Sequence, residues 1–314
     1  LGMKQIVKDT SAYYLLGYNS SFTAADGKFH EIKVRLKNKP GVEIRARKGY
    51  WALTRAELSA ATAPTKVEKP SPVQNALTAM SASVRERVVR TWLGTQRSDN
   101  GKTRLTFVWE PAPRVAGEAV RSSEQASAVQ VMAIGPDGSP LFRGRAPDSP
   151  SPAGGKVTFE VPPGKIELRL TVQGAGADTL DTETREVSVP DLTAPQTSLS
   201  TPEVFRGRTP REMQQVKADP AAVPVVGRDF LRTDHLLVRV AAYGPGSTPP
   251  AMTAKLLNRA GQKMADLPVA AQPDKPADID LPLAALASGD YVVEIDAAGD
   301  GGPAQELLAF RITG

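Results

Sequence analysis

Along most of this chain, apolar and polar positions alternate in short runs broken by turn residues. The first run, "SAYYLLGY" (Ser11 to Tyr18), is almost continuously apolar and aromatic, the pattern of a strand covered on both faces. In "KFHEIKVRL", Phe29, Ile32, Val34 and Leu36 are apolar, and the alternation is strict from Ile32 on. After Pro40-Gly41, "VEIRAR" places Val42, Ile44 and Ala46 on one face and Glu43, Arg45 and Arg47 on the other, because strand side chains alternate. These runs predict a hairpin with one wet side. With Leu1 to Asp9 read as the last turns of a helix, residues 1–52 form a short α/β piece.

Residues 84–190 predict one all-β module. "RVVRTWLGTQ" and "KTRLTFVWE" flank Asn100-Gly101, a strong short-range hairpin signal. "SAVQVMAIG" and "SPLFRG" flank the turn at Pro136-Asp137-Gly138. "GKVTFEV", "KIELRLTV" and "TETREVSV" bring the module to about seven strands with turns at sandwich spacing. Residues 223–314 repeat the theme with "HLLVRVAAY", "MTAKLLN", "KMADLPV", "ADIDLPL", "DYVVEID" and "ELLAFRIT". The segments from Gly155 and from Ala277 echo each other: strand, Pro, Gly, strand, Gly-rich turn, strand.

Two segments break the pattern. Residues 53–83 read as a linker with short helices, one opened by the capping-box spacing Thr54-x-x-Glu57, the next by Ser71-Pro72-Val73-Gln74. Residues 191–222 read as a connector whose Thr209-Pro210-x-Glu212 caps one short helix ending before Pro220. The fold class expected is therefore mainly β: two immunoglobulin- or fibronectin-like antiparallel sandwiches behind a short α/β remnant of helix, strand and hairpin.

Composition supports many short strands. Pro (27) exceeds its usual share of about 5%, and Gly reaches 26. No cysteine is present, which excludes disulfides, thiolate nucleophiles and Cys-ligated zinc in this chain. No apolar run approaches the roughly 18 residues of a membrane helix. The net charge of +5 comes from 39 Lys and Arg against 34 Asp and Glu, interspersed rather than gathered in a stripe. No specific nucleic-acid partner is expected from such a distribution.

The residues that carry chemistry are sparse. His30 and His235 are the two histidines and fall in different modules, so neither a Ser-His-Asp triad nor a zinc site suggests itself. Asp178 and Asp181, and Asp296 and Asp300, sit in Gly-rich turns that could gather round calcium, but turn aspartates ordinarily cap their own backbone. "GPDG" (Gly135 to Gly138) is a turn rather than a phosphate loop. Trp92 and Trp109 flank the Asn100-Gly101 turn and could form a sugar-stacking platform, or serve as sandwich core. Arg45 and Arg47, side by side on a wet face, and Arg206 to Arg208 are further contact candidates. No catalytic residue, cofactor or metal ligand emerges; the expectation is a non-enzyme that binds a protein or a cell-surface glycan, the glycan through Trp92 and Trp109, with a hydrolase of unrecognised carboxylate site as the remote alternative.

"DTSAYYLLGY" followed by "DGKFHEIKVRLKNKPGVEIRARKGYWA" resembles the end of the von Willebrand factor A-related domain of Acidobacteria-type bacterial proteins. The likeness covers residues 1–52; "RTWLG", "TFVWEP" and "VPPGKIELRLTV" resemble the β-rich tails of such proteins. The resemblance implies an exported, extracytoplasmic protein whose A domain binds a metal through a D-x-S-x-S motif. That motif does not occur here, and the resemblance implies that the scaffold's beginning would lie before Leu1, so no metal ligand carries over.

Overall fold

The structure is a computed structural model, and it describes residues 26–35, 37, 48–52, 54–55, 71–82, 87–113, 125–149, 151–246, 248–272 and 275–313. The chain divides into two compact units, Leu1–Lys69 and Pro70–Gly314. In the first, β1 (Phe29–Glu31) pairs antiparallel with β2 (Gly49–Trp51), with His30 opposite Tyr50. The ladder continues at both ends through Ile32 N–H to the Lys48 carbonyl and Ala52 N–H to the Lys28 carbonyl, each 2.8 Å. Residues 49–51 are thus part of the sheet. Phe29 and Trp51 meet edge to face at 5.8 Å. The expected helix at Leu1 to Asp9, the expected strand at Ser11 to Tyr18 and all of "VEIRAR", with Arg45 and Arg47, lie outside the described residues.

The second unit opens with α1 (Pro72–Ala82). Ser71 caps it as the sequence predicts, its Oγ accepting the Gln74 N–H at 3.2 Å. Then come β3 (Val89–Arg97), β4 (Thr103–Pro111), β5 (Ala126–Ile134), β6 (Pro140–Ala146), β7 (Gly155–Val161), β8 (Gly164–Gly174) and β9 (Thr179–Val189). They form two antiparallel sheets, ordered β3-β4-β7 and β6-β5-β8-β9. Gly101 adopts φ +71° in the β3–β4 turn, a left-handed conformation that glycine takes without strain. Period-two alternation sends Leu105, Phe107 and Trp109 of β4 inward to meet Val129, Val131, Leu168 and Leu170 from the facing sheet. Each such fully buried side chain contributes about 1.5–3 kcal/mol. Phe142 and Phe159 stack at 4.2 Å.

The second sandwich contains β10 (Ser198–Leu199), β11 (Glu203–Gly207), α2 (Pro210–Ala218), β12 (Asp229–Leu231), β13 (His235–Val240), β14 (Ala242–Tyr243), β15 (Ala251–Asn258), β16 (Lys263–Leu267), β17 (Val269–Gln272), β18 (Lys275–Pro282), β19 (Gly289–Gly299) and β20 (Gly302–Thr313). Its main sheets are ordered β11-β13-β18-β17 and β12-β20-β19-β15-β16, with β12 running parallel to β20 and the other pairs antiparallel. Val238, Ile279, Val293 and Ile295 are among its fully buried core residues. Tyr291, near the start of β19, donates its hydroxyl to the Ala287 carbonyl at 2.9 Å.

Two expectations change here. Residues 191–222 were expected as a connector, yet β11 pairs along its length with β13 and so belongs to the sandwich. The helix α2 is capped by Thr209, whose Oγ1 accepts the Glu212 N–H at 3.2 Å, and it docks Met213 against Phe205 and Leu237. Residues 53–83 were expected as linker, yet α1 packs Val73 and Leu77 onto Leu257, Val292 and Ala309 of the second sandwich. The helix that precedes the first sandwich is therefore anchored on the second, a contact that local patterning cannot reveal.

Candidate functional site, an arginine-lined cleft at the sandwich junction

The two sandwiches are held together by specific bonds. Thr95 N–H donates to Thr201 Oγ1 at 3.1 Å, and Thr201 N–H donates back to the Thr95 carbonyl at 3.0 Å. This closes part of the free edge of β3, which would otherwise offer unpaired backbone groups. Arg97 N–H donates to the Tyr243 hydroxyl at 3.2 Å, with its guanidinium 4.7 Å over the same ring. Lys156 Nζ donates to the carbonyls of Ala221 and Ala222 at 2.8 and 3.0 Å. Glu110 accepts the N–H groups of Val226 and Gly227 at 2.9 and 3.1 Å. Residues 221–227 are thus gripped against the outer face of β3-β4-β7, consistent with Val108, on that face, being fully buried.

Beside this junction, between α1, the β3 and β9 edges and β20, lies a cleft of about 480 Å³. Its lining mixes apolar Ala76, Leu307 and Ala309 with Arg87, Arg90, Arg185, Arg228 and Arg311, and Arg311 shares the β20 face with Leu307 and Ala309. Three of these guanidinium groups have carboxylate partners: Arg87 with Glu183 (2.7 Å), Arg90 with Asp229 (3.5 Å) and Arg311 with Asp290 (2.7 Å). Arg228 donates Nη1 to the Val225 carbonyl at 2.6 Å. Burial pushes its pKa down to about 10, which the nearby Glu110 charge partly opposes.

Arg185 differs. It occupies an inward position of β9, on the face it shares with Val187 and Val189. Its Nη1 reaches Thr91 Oγ1 at 3.4 Å, and its Nε and Nη2 are buried with no hydrogen-bond partner among the described residues. Burial pushes its pKa down, Glu183 opposes this, and Arg87 adds to it.

The two tryptophans do not share a surface. Trp109 lies across from Thr91, and Trp92 across from Val108, so the rings point to opposite faces of the sheet. Trp109 is fully buried and donates Nε1–H to the Ala146 carbonyl at 2.6 Å. Trp92 is half-buried, lies over Gly94 and lines the junction cleft. A stacking platform built from both is therefore not formed.

Other candidates have structural partners. His30 meets Asp26 at 3.1 Å and stacks on Tyr50 at 5.5 Å. His235 meets Asp280, whose other carboxylate oxygen accepts Lys217. Asp296 accepts Lys255 and Gln305 at 3.0 and 2.9 Å, and Asp181 accepts the Thr182 N–H at 2.8 Å. Arg206 lays its guanidinium 4.7 Å over Phe230 and donates to the Asp229 carbonyl at 3.1 Å. No group of three or more His, Cys, Asp or Glu suited to a metal gathers among the described residues.

The cleft arginines were missed in the sequence because they come from four separate segments. One local signal existed: an arginine in register with inward-facing valines in "REVSV", since a charge at a core-facing position is rarely without purpose.

The strand topology defines the class. The second sandwich has the immunoglobulin order, A-B-E-D facing A′-G-F-C-C′, with a tyrosine corner at Tyr291. The first has seven strands, three on four, in the fibronectin type III manner. No family model and no curated protein matches the chain. Among solved structures, it is similar to the dimeric latent PorU of Porphyromonas gingivalis, with 16% identity, a TM-score of 0.33, 71% of this chain covered and 20% of that one. It is also similar to the fibronectin(III)-like modules of Clostridium thermocellum CbhA, with 11% identity, a TM-score of 0.22, and 71% and 92% covered. Tandem immunoglobulin domains of titin match with 10% identity, a TM-score of 0.21, and 72% and 96% covered. The chain thus spans about a fifth of the PorU structure. The class rests on the strand topology. No helix among the described residues is long and apolar enough to cross a membrane.

Proposed function

We propose that the chain is a non-catalytic tandem β-sandwich module that serves as a stiff spacer and docking surface within an extracytoplasmic, von Willebrand factor A-related protein. The observation that carries this reading is the junction. Tandem domains within a chain commonly move against one another unless their interface is extensive. Here the chain crosses the junction twice: α1, which precedes the first sandwich, packs on the second, and residues 221–227 of the second lie on the sheet of the first. Four separate contacts, through Thr95, Arg97, Glu110 and Lys156, join the two sandwiches. The extracytoplasmic placement and the parent family are supported by the sequence resemblance of residues 1–52.

Residual dipolar couplings measured on the full chain test the spacer role. One alignment tensor should fit the amides of both sandwiches. Two tensors of different magnitude or orientation would defeat it.

A further inference from the structure

We propose that the junction cleft binds a small organic anion, a carboxylate on an apolar body, with Arg185 as its guanidinium partner. The inference rests on the fixed junction, since α1 and both sandwiches supply the walls.

The volume, about 480 Å³, lies in the range of ligand sites, roughly 300–1,000 Å³. The lining offers both kinds of surface that an amphipathic anion requires, apolar Ala76, Leu307 and Ala309 beside five arginines. Three of those arginines are matched by carboxylates of the chain itself, and Arg228 is consumed by backbone carbonyls. Arg185 is left over.

Its two unpartnered atoms are Nε and Nη2. These form one side of the guanidinium fork, the side that receives the two oxygens of a carboxylate as parallel N–H···O bonds. Leaving such donors buried without acceptors is unfavourable, and a bound carboxylate relieves it. Both atoms are turned away from solvent. A carboxylate in the cleft that Arg185 lines would meet these donors by a turn of the guanidinium that breaks one 3.4 Å bond, to Thr91, against the pull of the Glu183 charge. Trp92 lines the same space and gives an optical signal for occupancy.

Benzoate is the probe, titrated into the full chain at low salt, with calorimetry and the Arg185 Nε–H resonance as readouts. Benzamide tests the need for charge, inorganic phosphate the need for an apolar body. Saturable benzoate binding at a dissociation constant of about 1 mM or below is expected, with benzamide silent. Arg185→Met should weaken binding at least about tenfold. Arg185→Lys keeps the charge but loses the fork, so it should also bind more weakly than the parent, and it serves if Arg185→Met does not fold. The proposal is overturned by the absence of a saturable response up to about 10 mM benzoate, tenfold above the expected dissociation constant. It is equally overturned by unchanged affinity in the Arg185 variants, or by phosphate binding as tightly as benzoate. If a single alignment tensor holds and benzoate fails, only the ligand assignment falls; if the tensors differ, the junction itself is wrong.

Discussion

Glu110, on the central strand of the first sandwich, holds Gly227 of the second by its backbone N–H at 3.1 Å, while its other oxygen takes Val226 at 2.9 Å. One carboxylate thus closes two backbone donors across the junction and places a negative charge near buried Arg228. Removing it leaves both donors without their acceptor and Arg228, still bonded to backbone carbonyls, without the nearby charge. Glu110→Ala should lower stability by about 2–3 kcal/mol, as for hydrogen bonds to a charged group. Urea denaturation followed by tryptophan fluorescence measures this. A loss below about 0.5 kcal/mol would mean that water replaces the carboxylate freely.

Trp109 tests the core of the first sandwich. It is fully buried, with its indole N–H bonded to the Ala146 carbonyl. Trp109→Ala should destabilise that sandwich by about 3–5 kcal/mol, the usual range for a core aromatic. A folded, equally stable variant would contradict the packing described.

Tyr291 ties the start of β19 to the preceding corner through the Ala287 carbonyl. Tyr291→Phe keeps the ring, which stacks on Phe310 at 5.7 Å, and deletes only the hydroxyl. The expected loss is about 1 kcal/mol, read as a lower urea midpoint at unchanged slope. A changed slope would indicate a different denatured or native state instead.

Asp280 sets an acid-dependent contribution. Burial by itself would raise its pKa, but hydrogen bonds with Lys217 and His235 outweigh burial and hold it below the ordinary 3.8. A carboxyl depressed in the folded state adds stability that is present above its unfolded pKa and lost as pH falls through the folded one. Asp280→Asn should therefore be less stable than the parent at neutral pH, and the gap should close as pH drops below about 3.8. Parallel urea titrations from neutral pH down to strong acid report it. A gap that is constant with pH would point to packing rather than charge.

The strands of both sandwiches were legible where the pattern is local. Alternation marked β3 to β9, Asn100-Gly101 marked a hairpin, and the caps at Ser71 and Thr209 marked α1 and α2. The echo between the segments from Gly155 and Ala277 corresponds to equivalent strands, β7-β8-β9 and β18-β19-β20. The short β11 escaped because a five-residue run beside Pro202 resembles linker, and only pairing with distant β13 makes it a strand.

The candidate site was much less legible. Trp92 and Trp109 were recognisable as a pair, but the hairpin register sends their rings to opposite faces. Arg87, Arg90, Arg185, Arg228 and Arg311 looked like ordinary charges on strand faces, and only the docking of two sandwiches and α1 gathers them around one cleft.

By itself the sequence determined the element types, the turns and the inward faces, because period, capping and glycine conformation act within a few residues. Which faces remain wet, which arginine loses its partner and where a cavity opens depend on contacts between residues far apart in the chain. Those were decided by tertiary packing alone, since the burial of a side chain is a property of its neighbours in space.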